Sequence, residues 1–223
     1  MATDSAAPES PAPPPPAQPL WLRRLLFAAV ASIALGLVIQ VLVMLAMRKW
    51  PANPLAETAQ KITWSTLVCS ALAIGTTARK ALPGVLGVMG FIAAPGAFYA
   101  AKAVQKSLSQ AASGAGPTVP TALELAIAKA IEYGIFGLLI ALVASKPGRT
   151  IRTYLAIGAS LGVAFTIYLL IRLTSNDPRP AGPALAARAV NELVFPIGCA
   201  LVLWAANRIG KQLASPHAAV SRA

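Results

Sequence analysis

The sequence has few of the side chains on which most enzyme active sites depend. It contains one histidine, two cysteines and seven acidic residues among 223 positions. Because His217 is the single histidine, an HExxH zinc site, a His-ligated haem and a histidine-based triad are excluded within this chain. Cys69 and Cys199 lack CxxC spacing and lie in apolar segments, so we interpret them as small packing residues rather than as a disulfide or metal pair. We therefore expect no metal and no cofactor, and the sequence favours a function other than catalysis.

Charged residues are also scarce, whereas apolar residues are abundant. Charged side chains make up 12% of the chain and hydrophobic ones 57%, and the mean hydropathy is +0.66. This is more apolar surface than a soluble core of this size buries, so we expect the lipid bilayer to be a partner. The net charge of +12 comes mainly from lysines and arginines between the apolar segments, where an anionic leaflet attracts them. No basic stripe alternates with aromatic residues, which argues against a nucleic-acid partner.

Long apolar segments predict an all-α, polytopic transmembrane helix bundle with about six spans. The predicted spans cover residues 22–47, 62–78, 82–104, 123–145, 154–173 and 187–206. The second is the shortest and is rich in serine and threonine. The helical domain as a whole occupies residues 20–211. We predict that the Ala- and Pro-rich tail before it, residues 1–19, is disordered, and that residues 212–223 form a short polar tail.

The charges between the spans predict the orientation. An even number of spans places both termini on one side of the membrane. The two shortest connections, at Arg79 and Lys80 and from Lys146 to Arg152, lie on that side and carry only basic charges. Under the positive-inside rule, this favours the cytoplasm for both termini. Frequent alanine, proline and arginine are typical of a GC-rich bacterial genome, so we expect a multi-pass protein of the bacterial inner membrane.

Six polar or charged residues within the predicted spans fall toward the face opposite the termini. They are Gln40, Lys129, Glu132, Arg172, Asn191 and Glu192. At 1.5 Å per residue, Glu132 and Glu192 would lie roughly 7 to 11 Å below that surface. Ionisable groups within a membrane are costly and mark ion or substrate pathways. We therefore predict a polar vestibule on this face for a cation, a proton or a polar head group.

The same residues have a second interpretation. Lys129 and Glu132 are spaced i,i+3, and Arg188 and Glu192 are spaced i,i+4, so each acid can be neutralised within its own helix. The basic side chains would then extend outward to the interface. In that case the polar residues form no shared site.

Two predicted spans contain helix-breaking residues near their middles, Pro95 with Gly96 in the third and Pro196 with Gly198 in the sixth. Proline removes a backbone donor and leaves a carbonyl that a neighbour, a water or an ion must satisfy. Since these spans end two successive triplets, the pattern fits the broken helices of transporters built from inverted repeats. Two ordinary proline kinks are the alternative.

Small residues recur at helical spacing in three of the spans. The sets are Ala28, Ser32 and Gly36 in the first, Gly84, Gly87 and Gly90 in the third, and Gly158 and Gly162 in the fifth. Such faces allow close approach of helix backbones in lipid. We predict that they pack inside one bundle. The alternative is that they bind a second copy of the chain or another membrane protein.

These patterns favour a small transporter-like or channel-like protein. A membrane assembly or scaffold subunit that binds other membrane proteins is the second hypothesis. A lipid-modifying enzyme that uses Glu132 or Glu192 is the third. No motif in the sequence specifies a substrate.

Overall fold

The computed structural model describes residues 19–78, 84–113, 122–146, 150–176 and 182–212, and the regular structure within these ranges is α-helical. The helices are α1 (Leu20–Met47), α2 (Pro54–Ala78), α3 (Gly84–Ser113), α4 (Ala122–Ser145), α5 (Ile151–Asn176) and α6 (Gly182–Gln212). Apart from Pro19 and Gln212, the predicted tails, residues 1–19 and 212–223, lie outside the described residues. The predicted all-helical fold class is confirmed.

Consecutive helices run antiparallel and close into a ring. Gly36 of α1 lies against Ile62 and Ser65 of α2, and Gly75 near the end of α2 lies against Leu86 near the start of α3. The pairs α3 with α4 and α5 with α6 also pack closely, and α1 packs on α6. The contact between α4 and α5 is the loosest around the ring.

Because the helices alternate in direction, the bundle has two ends. Leu20 at the start of α1 and Gln212 at the end of α6 lie at one of them, which we call the terminal end. Met47 at the end of α1 lies at the other, the far end. There, Asn53 donates a hydrogen bond from Nδ2 to the Leu108 carbonyl of α3 at 3.3 Å. This bond ties the start of α2 to the end of α3.

Five of the helices, α1, α3, α4, α5 and α6, are long and apolar enough to cross a membrane. α2 falls outside this set, although its 25 residues extend about 38 Å at 1.5 Å per residue. It contacts α1, α3 and α6, and one of its serines bonds to a neighbouring helix. Ser65 Oγ donates to the Ser32 carbonyl of α1 at 2.7 Å. A helix enclosed by its neighbours can carry such polar residues, since they face protein rather than lipid.

Large apolar side chains cover the outside of the bundle. Val30 of α1 is 68% exposed, Ile92 of α3 is 67% exposed and Ile171 of α5 is 58% exposed. A soluble protein rarely presents so much apolar surface to water, whereas lipid chains cover it readily. The chain is an integral, multi-pass membrane protein.

Three helix boundaries at the far end differ from the predicted spans by five residues or more. α2 begins at Pro54 rather than at residue 62, α3 continues to Ser113 rather than ending at residue 104, and α6 begins at Gly182 rather than at residue 187. A span predicted from hydropathy ends where polar residues begin. The added turns are nevertheless rich in alanine, with glutamine and lysine in α2 and α3, and these residues favour a helix.

The predicted helix breaks are wrong. α3 continues through Pro95 and Gly96, and α6 continues through Pro196 and Gly198. At Pro196, α5 packs directly against the backbone of α6, because a Cβ placed on Gly158 of α5 would lie 2.6 Å from the Pro196 carbonyl oxygen. Proline is tolerated inside a membrane helix that is held by such packing.

The two triplets of helices also differ in their internal packing. α1 packs closely on α2, whereas α4 and α5, the matching pair of an inverted repeat, meet along the loosest seam. The contacts therefore lend no support to two equivalent triplets.

The small-residue faces pack inside the bundle, as predicted. α1 contacts α2 through Gly36, α3 contacts α4 through Gly90, and α5 contacts α6 through Gly158 and Gly162. Gly84 is the exception, because a Cβ at that position would meet open space. These faces set the close approach of neighbouring helices in the ring.

Candidate functional site

Three charged residues join α4 to α6 inside the bundle. Lys129 of α4 is 7% exposed, and its Nζ donates a hydrogen bond to Glu132 Oε2 of the same helix at 2.6 Å. The same ammonium group donates to Glu192 Oε2 of α6. Glu132 is 0% exposed and Glu192 is 2% exposed. One buried lysine therefore contacts two buried carboxylates. We call Lys129, Glu132 and Glu192 together the charge cluster.

Aromatic rings surround the ammonium group of Lys129. Its Nζ lies 6.0 Å from the ring centre of Trp64 on α2 and 5.8 Å from that of Tyr133, distances at which a ring attracts a cation. Trp64, Tyr133 and Phe195 pack against one another with centroids 5.7 to 5.8 Å apart, and Phe136 extends the group. Along their helices, Trp64 follows Lys61, Tyr133 follows Glu132 and Phe195 follows Glu192, in each case toward the terminal end. These four rings, which we call the aromatic layer, therefore pack against the charged groups and lie toward the terminal end from them.

The two carboxylates differ in their surroundings. Glu192 Oε1 also accepts from Arg188 Nε at 3.2 Å, and Asn191 Nδ2 lies 3.4 Å from the same oxygen. Within the described residues, Glu132 pairs with Lys129 alone, and its Oε1 atom has no hydrogen-bond partner. Glu132 is therefore the acid whose burial is least compensated.

Both glutamates lie at the same distance along their helices. Glu132 comes ten residues after Ala122, and Glu192 comes ten residues after Gly182. At 1.5 Å per residue each lies about 15 Å from the first residue of its helix. The two carboxylates therefore lie at a similar distance from the far ends of their helices.

A cavity of 140 Å³ lies beside the charge cluster, between α2, α3, α4 and α6, and we call it the vestibule. It is lined by Gln60, Lys61 and Trp64 of α2, Phe98, Ala101 and Lys102 of α3, Leu125 and Lys129 of α4, and Arg188, Asn191, Glu192 and Phe195 of α6. Lys129 and Glu192 are buried, whereas Lys61, Lys102 and Arg188 are partly exposed. The charge cluster thus forms the floor, and the other basic residues lie nearer to solvent.

The structure brings four of the six predicted residues together. Lys129, Asn191 and Glu192 line the vestibule, and Glu132 contacts Lys129. The pairs expected within single helices, Lys129 with Glu132 and Arg188 with Glu192, also form. The interpretation in which each acid is neutralised within its own helix does not include the contact between Lys129 and Glu192. It also predicts that the Lys129 side chain extends outward, whereas this side chain is buried.

The other two predicted residues lie elsewhere. Arg172 of α5 pairs with Glu124 at the start of α4, with Nε 2.7 Å from Oε1, and the two side chains are 50% and 36% exposed. Gln40 of α1 is 2% exposed and lies one turn after Gly36, the residue that packs on α2. Neither of its amide atoms has a hydrogen-bond partner among the described residues. Neither Gln40 nor Arg172 lines the vestibule.

Sequence reasoning missed the remaining basic residues of the vestibule. By hydropathy, Lys61 belongs to a connection and Lys102 lies at the end of the third span, but both lie on helices and line the cavity. The signal that could have identified them is their spacing. Lys61 lies three residues before Trp64, and Phe98 lies four residues before Lys102, so each lysine shares a helix face with an aromatic ring.

A larger, apolar cavity lies along the loose seam between α4 and α5. Its volume is 540 Å³, and its lining residues are Leu123, Glu124, Ile127, Ala128, Ile131, Ala164, Phe165 and Tyr168. It has few polar groups, and they do not converge on one point, whereas functional sites place several polar groups around one ligand position. The vestibule is therefore the candidate functional site.

Two thiols meet on the terminal side of the vestibule. The sulfur atoms of Cys69 on α2 and Cys199 on α6 are 3.3 Å apart, and both residues are buried and free. No sequence pattern indicates this proximity, because 130 positions separate the two residues. Within the described ranges, no group of three or more His, Cys, Asp or Glu side chains could hold a metal ion.

No protein-family model matches the chain, and neither a curated protein nor a solved structure matches it. Function is therefore inferred from the geometry of the vestibule and the charge cluster.

Proposed function

We propose that the protein is a small transporter-like or channel-like protein of the bacterial inner membrane, with both termini in the cytoplasm, and that its vestibule delivers protons or other small ions to the charge cluster. The observation that carries this proposal is the environment of Glu132. Its carboxylate is fully buried, and its Oε1 atom has no hydrogen-bond partner among the described residues. It also contacts Lys129, which lines the vestibule.

The charge cluster has two states that differ by one proton. With both glutamates ionised, Lys129 lies between two negative charges and the three residues carry a net charge of −1. When Glu132 takes up a proton, Lys129 and Glu192 remain as a neutral ion pair and the net charge is zero. Burial disfavours an uncompensated carboxylate, so Glu132 is the group in this cluster that can exchange a proton.

The aromatic layer is relevant to transport. Trp64, Tyr133 and Phe195 pack against one another toward the terminal end, so an ion that continues from the cluster in that direction meets these rings.

The proposal is tested with purified protein in proteoliposomes that contain a pH-sensitive dye. A potassium diffusion potential set by valinomycin drives protons across the membrane. We expect the wild-type protein to change the internal pH and the E132Q variant to lose this flux. E124Q is the matched control, because Glu124 lies on the same helix but is 36% exposed and outside the vestibule, and its flux should equal that of the wild type.

An unchanged flux in E132Q would remove Glu132 from the mechanism, and no flux in the wild-type protein would refute proton transport. E132Q must elute and unfold like the wild type, which separates loss of flux from loss of structure. E132D provides a second comparison. It keeps the carboxyl group, so we expect it to retain part of the flux.

A further inference from the structure

The vestibule contains more positive than negative charge. Four cationic side chains line it, those of Lys61, Lys102, Lys129 and Arg188, against one lining acid, Glu192. Glu132, behind Lys129, adds a second negative charge. The vestibule lining and Glu132 together contribute four cationic side chains and two carboxylates.

Both carboxylates are already engaged by cations of the floor. Glu132 accepts from Lys129, and Glu192 accepts from Lys129 and Arg188. Among the described residues, no carboxylate lies within ion-pair distance of Lys61 or Lys102.

In the described part of the chain, the two unpaired lysines are compensated only by acids beyond ion-pair distance, Glu57 for both and Glu192 for Lys61. Lys102 donates to Gln105 Oε1 at 3.1 Å, which is a neutral acceptor. Glu57 lies one turn before Lys61 on α2 but does not line the vestibule. Like charges that converge on a cavity partly shielded from water repel one another more strongly than in bulk solvent. A ligand with negative charge would relieve this repulsion.

We propose that the vestibule binds a small oxyanion of the phosphate type through Lys61, Lys102 and Arg188. This inference rests on the proposed function, because it names the ligand class of the same site. Lysine and arginine side chains offer only hydrogen-bond donors, and charge-assisted bonds to phosphate oxygens are among the strongest in proteins. The amide groups of Gln60 and Asn191 line the same cavity and can donate further hydrogen bonds.

The size of the cavity limits the ligand. Its volume of 140 Å³ is well below the roughly 300 to 1,000 Å³ of sites that hold drug-sized molecules. The rings of Trp64, Phe98 and Phe195 make part of its lining apolar. A single phosphate group fits these limits, whether as free inorganic phosphate or as the head group of a phospholipid whose chains remain in the bilayer.

Binding is measured with the full chain purified in a neutral detergent. Inorganic phosphate is titrated into the protein at low ionic strength by isothermal calorimetry. We expect saturable binding that K61Q and K102Q each weaken by about tenfold or more, since each removes a charge-assisted hydrogen bond. K49Q is the matched control, because Lys49 is exposed at the far end and outside the vestibule, and its affinity should be unchanged.

A second arm distinguishes the two sources of phosphate. The protein is reconstituted in phosphatidylcholine vesicles with or without phosphatidic acid, re-extracted, and analysed for retained lipid by native mass spectrometry. Binding of inorganic phosphate supports a free ligand. Retention of phosphatidic acid by the wild type, with loss in the K61Q/K102Q variant, supports a head group.

Either of these results supports the oxyanion site. Absence of both, or equal binding by K61Q/K102Q and K49Q, would overturn it. These measurements are made at equilibrium without flux, so phosphate binding without proton flux would refute the proposed transport alone. Flux without phosphate binding would refute the oxyanion site alone.

Discussion

Lys129 of α4 and Glu192 of α6 form an ion pair whose side chains are 9% and 2% exposed. The two helices are separated by α5 in the sequence and make few backbone contacts with each other, so this pair and the adjacent rings fix which faces of α4 and α6 meet. Such a buried pair adds little stability compared with two apolar residues of similar size. Removal of one partner, however, leaves an uncompensated charge in the bundle.

The K129M variant should therefore be strongly destabilised. Methionine fills a similar volume but leaves Glu132 and Glu192 without the ammonium group that both contact. We expect the free energy of unfolding to fall by about 3 kcal/mol or more. The measurement is the unfolding of the purified protein in mild detergent, titrated with SDS and followed by tryptophan fluorescence.

Neutralising the two acids should reverse most of that loss. In K129M/E132Q/E192Q no bare carboxylate remains in the cluster, so its stability should approach that of the wild type. R172Q is the exposed comparison, because its ion pair with Glu124 is partly solvated and should contribute about 1 kcal/mol or less. Equal effects of K129M and R172Q would contradict the buried charge cluster.

Two glycines of α3 should respond in opposite ways to alanine. A Cβ on Gly90 would collide with the Tyr133 carbonyl of α4, whereas a Cβ on Gly96 would meet nothing within 4 Å. G90A should lower the free energy of unfolding by about 1 to 3 kcal/mol, because the two helices must separate. G96A should leave stability unchanged or raise it, since alanine is the better helix former.

Thermal unfolding of both variants in the same detergent measures this difference. The two substitutions add the same methyl group to the same helix, so the comparison isolates the α3–α4 contact. A G90A protein as stable as G96A would mean that α3 and α4 are further apart than the structure places them.

The two cysteines should form an intramolecular disulfide on mild oxidation. The sulfur atoms of Cys69 and Cys199 are 3.3 Å apart, so membrane-permeant iodine should convert both thiols to one disulfide with release of two iodide ions and two protons. Maleimide labelling in SDS would then drop at both positions together and return after reduction. In C69A, Cys199 should remain labelled, and oxidised wild-type protein with both thiols still reactive would argue against the α2–α6 contact.

Cysteine accessibility at Ala52 and Thr150 tests whether α2 crosses the membrane and which face is outside. Both residues are exposed, in the connection after α1 and at the start of α5. Three helices, α2, α3 and α4, separate them, so A52C and T150C lie on opposite sides if all three cross. In a C69A/C199A background, we expect an impermeant maleimide to label A52C in intact cells and T150C only after permeabilisation.

Two other outcomes have clear meanings. The reverse pattern would place the termini outside the cytoplasm. Labelling of both positions from the same side would mean that α2 does not cross.

The candidate site was only partly accessible to sequence reasoning. The gathering of Lys129, Glu132, Asn191 and Glu192 toward the far end follows from helix direction alone, and it was predicted. Gln40 and Arg172 also lie toward the far end but elsewhere in the ring, because position along a helix does not specify the direction in which a side chain points.

The predicted helix breaks failed for a related reason. Pro95 and Pro196 lack a backbone donor wherever they occur, but whether a helix opens there depends on the neighbours that hold it. Gly158 of α5 packs directly against the Pro196 carbonyl, and that contact is formed by a helix that begins 45 residues earlier in the chain. No local pattern could have shown it.

By itself, the sequence determined the helical class, the number of helices and their alternating direction, because span length and hydropathy are properties of consecutive residues and a bilayer accepts few other backbone structures. The tertiary structure decided which helices are neighbours and which faces they turn to one another. Lipid gives apolar helices no hydrophobic drive to associate, so their rotation is set by backbone packing and buried polar contacts. The meeting of Lys129 with Glu192, and the vestibule beside it, follows from that rotation.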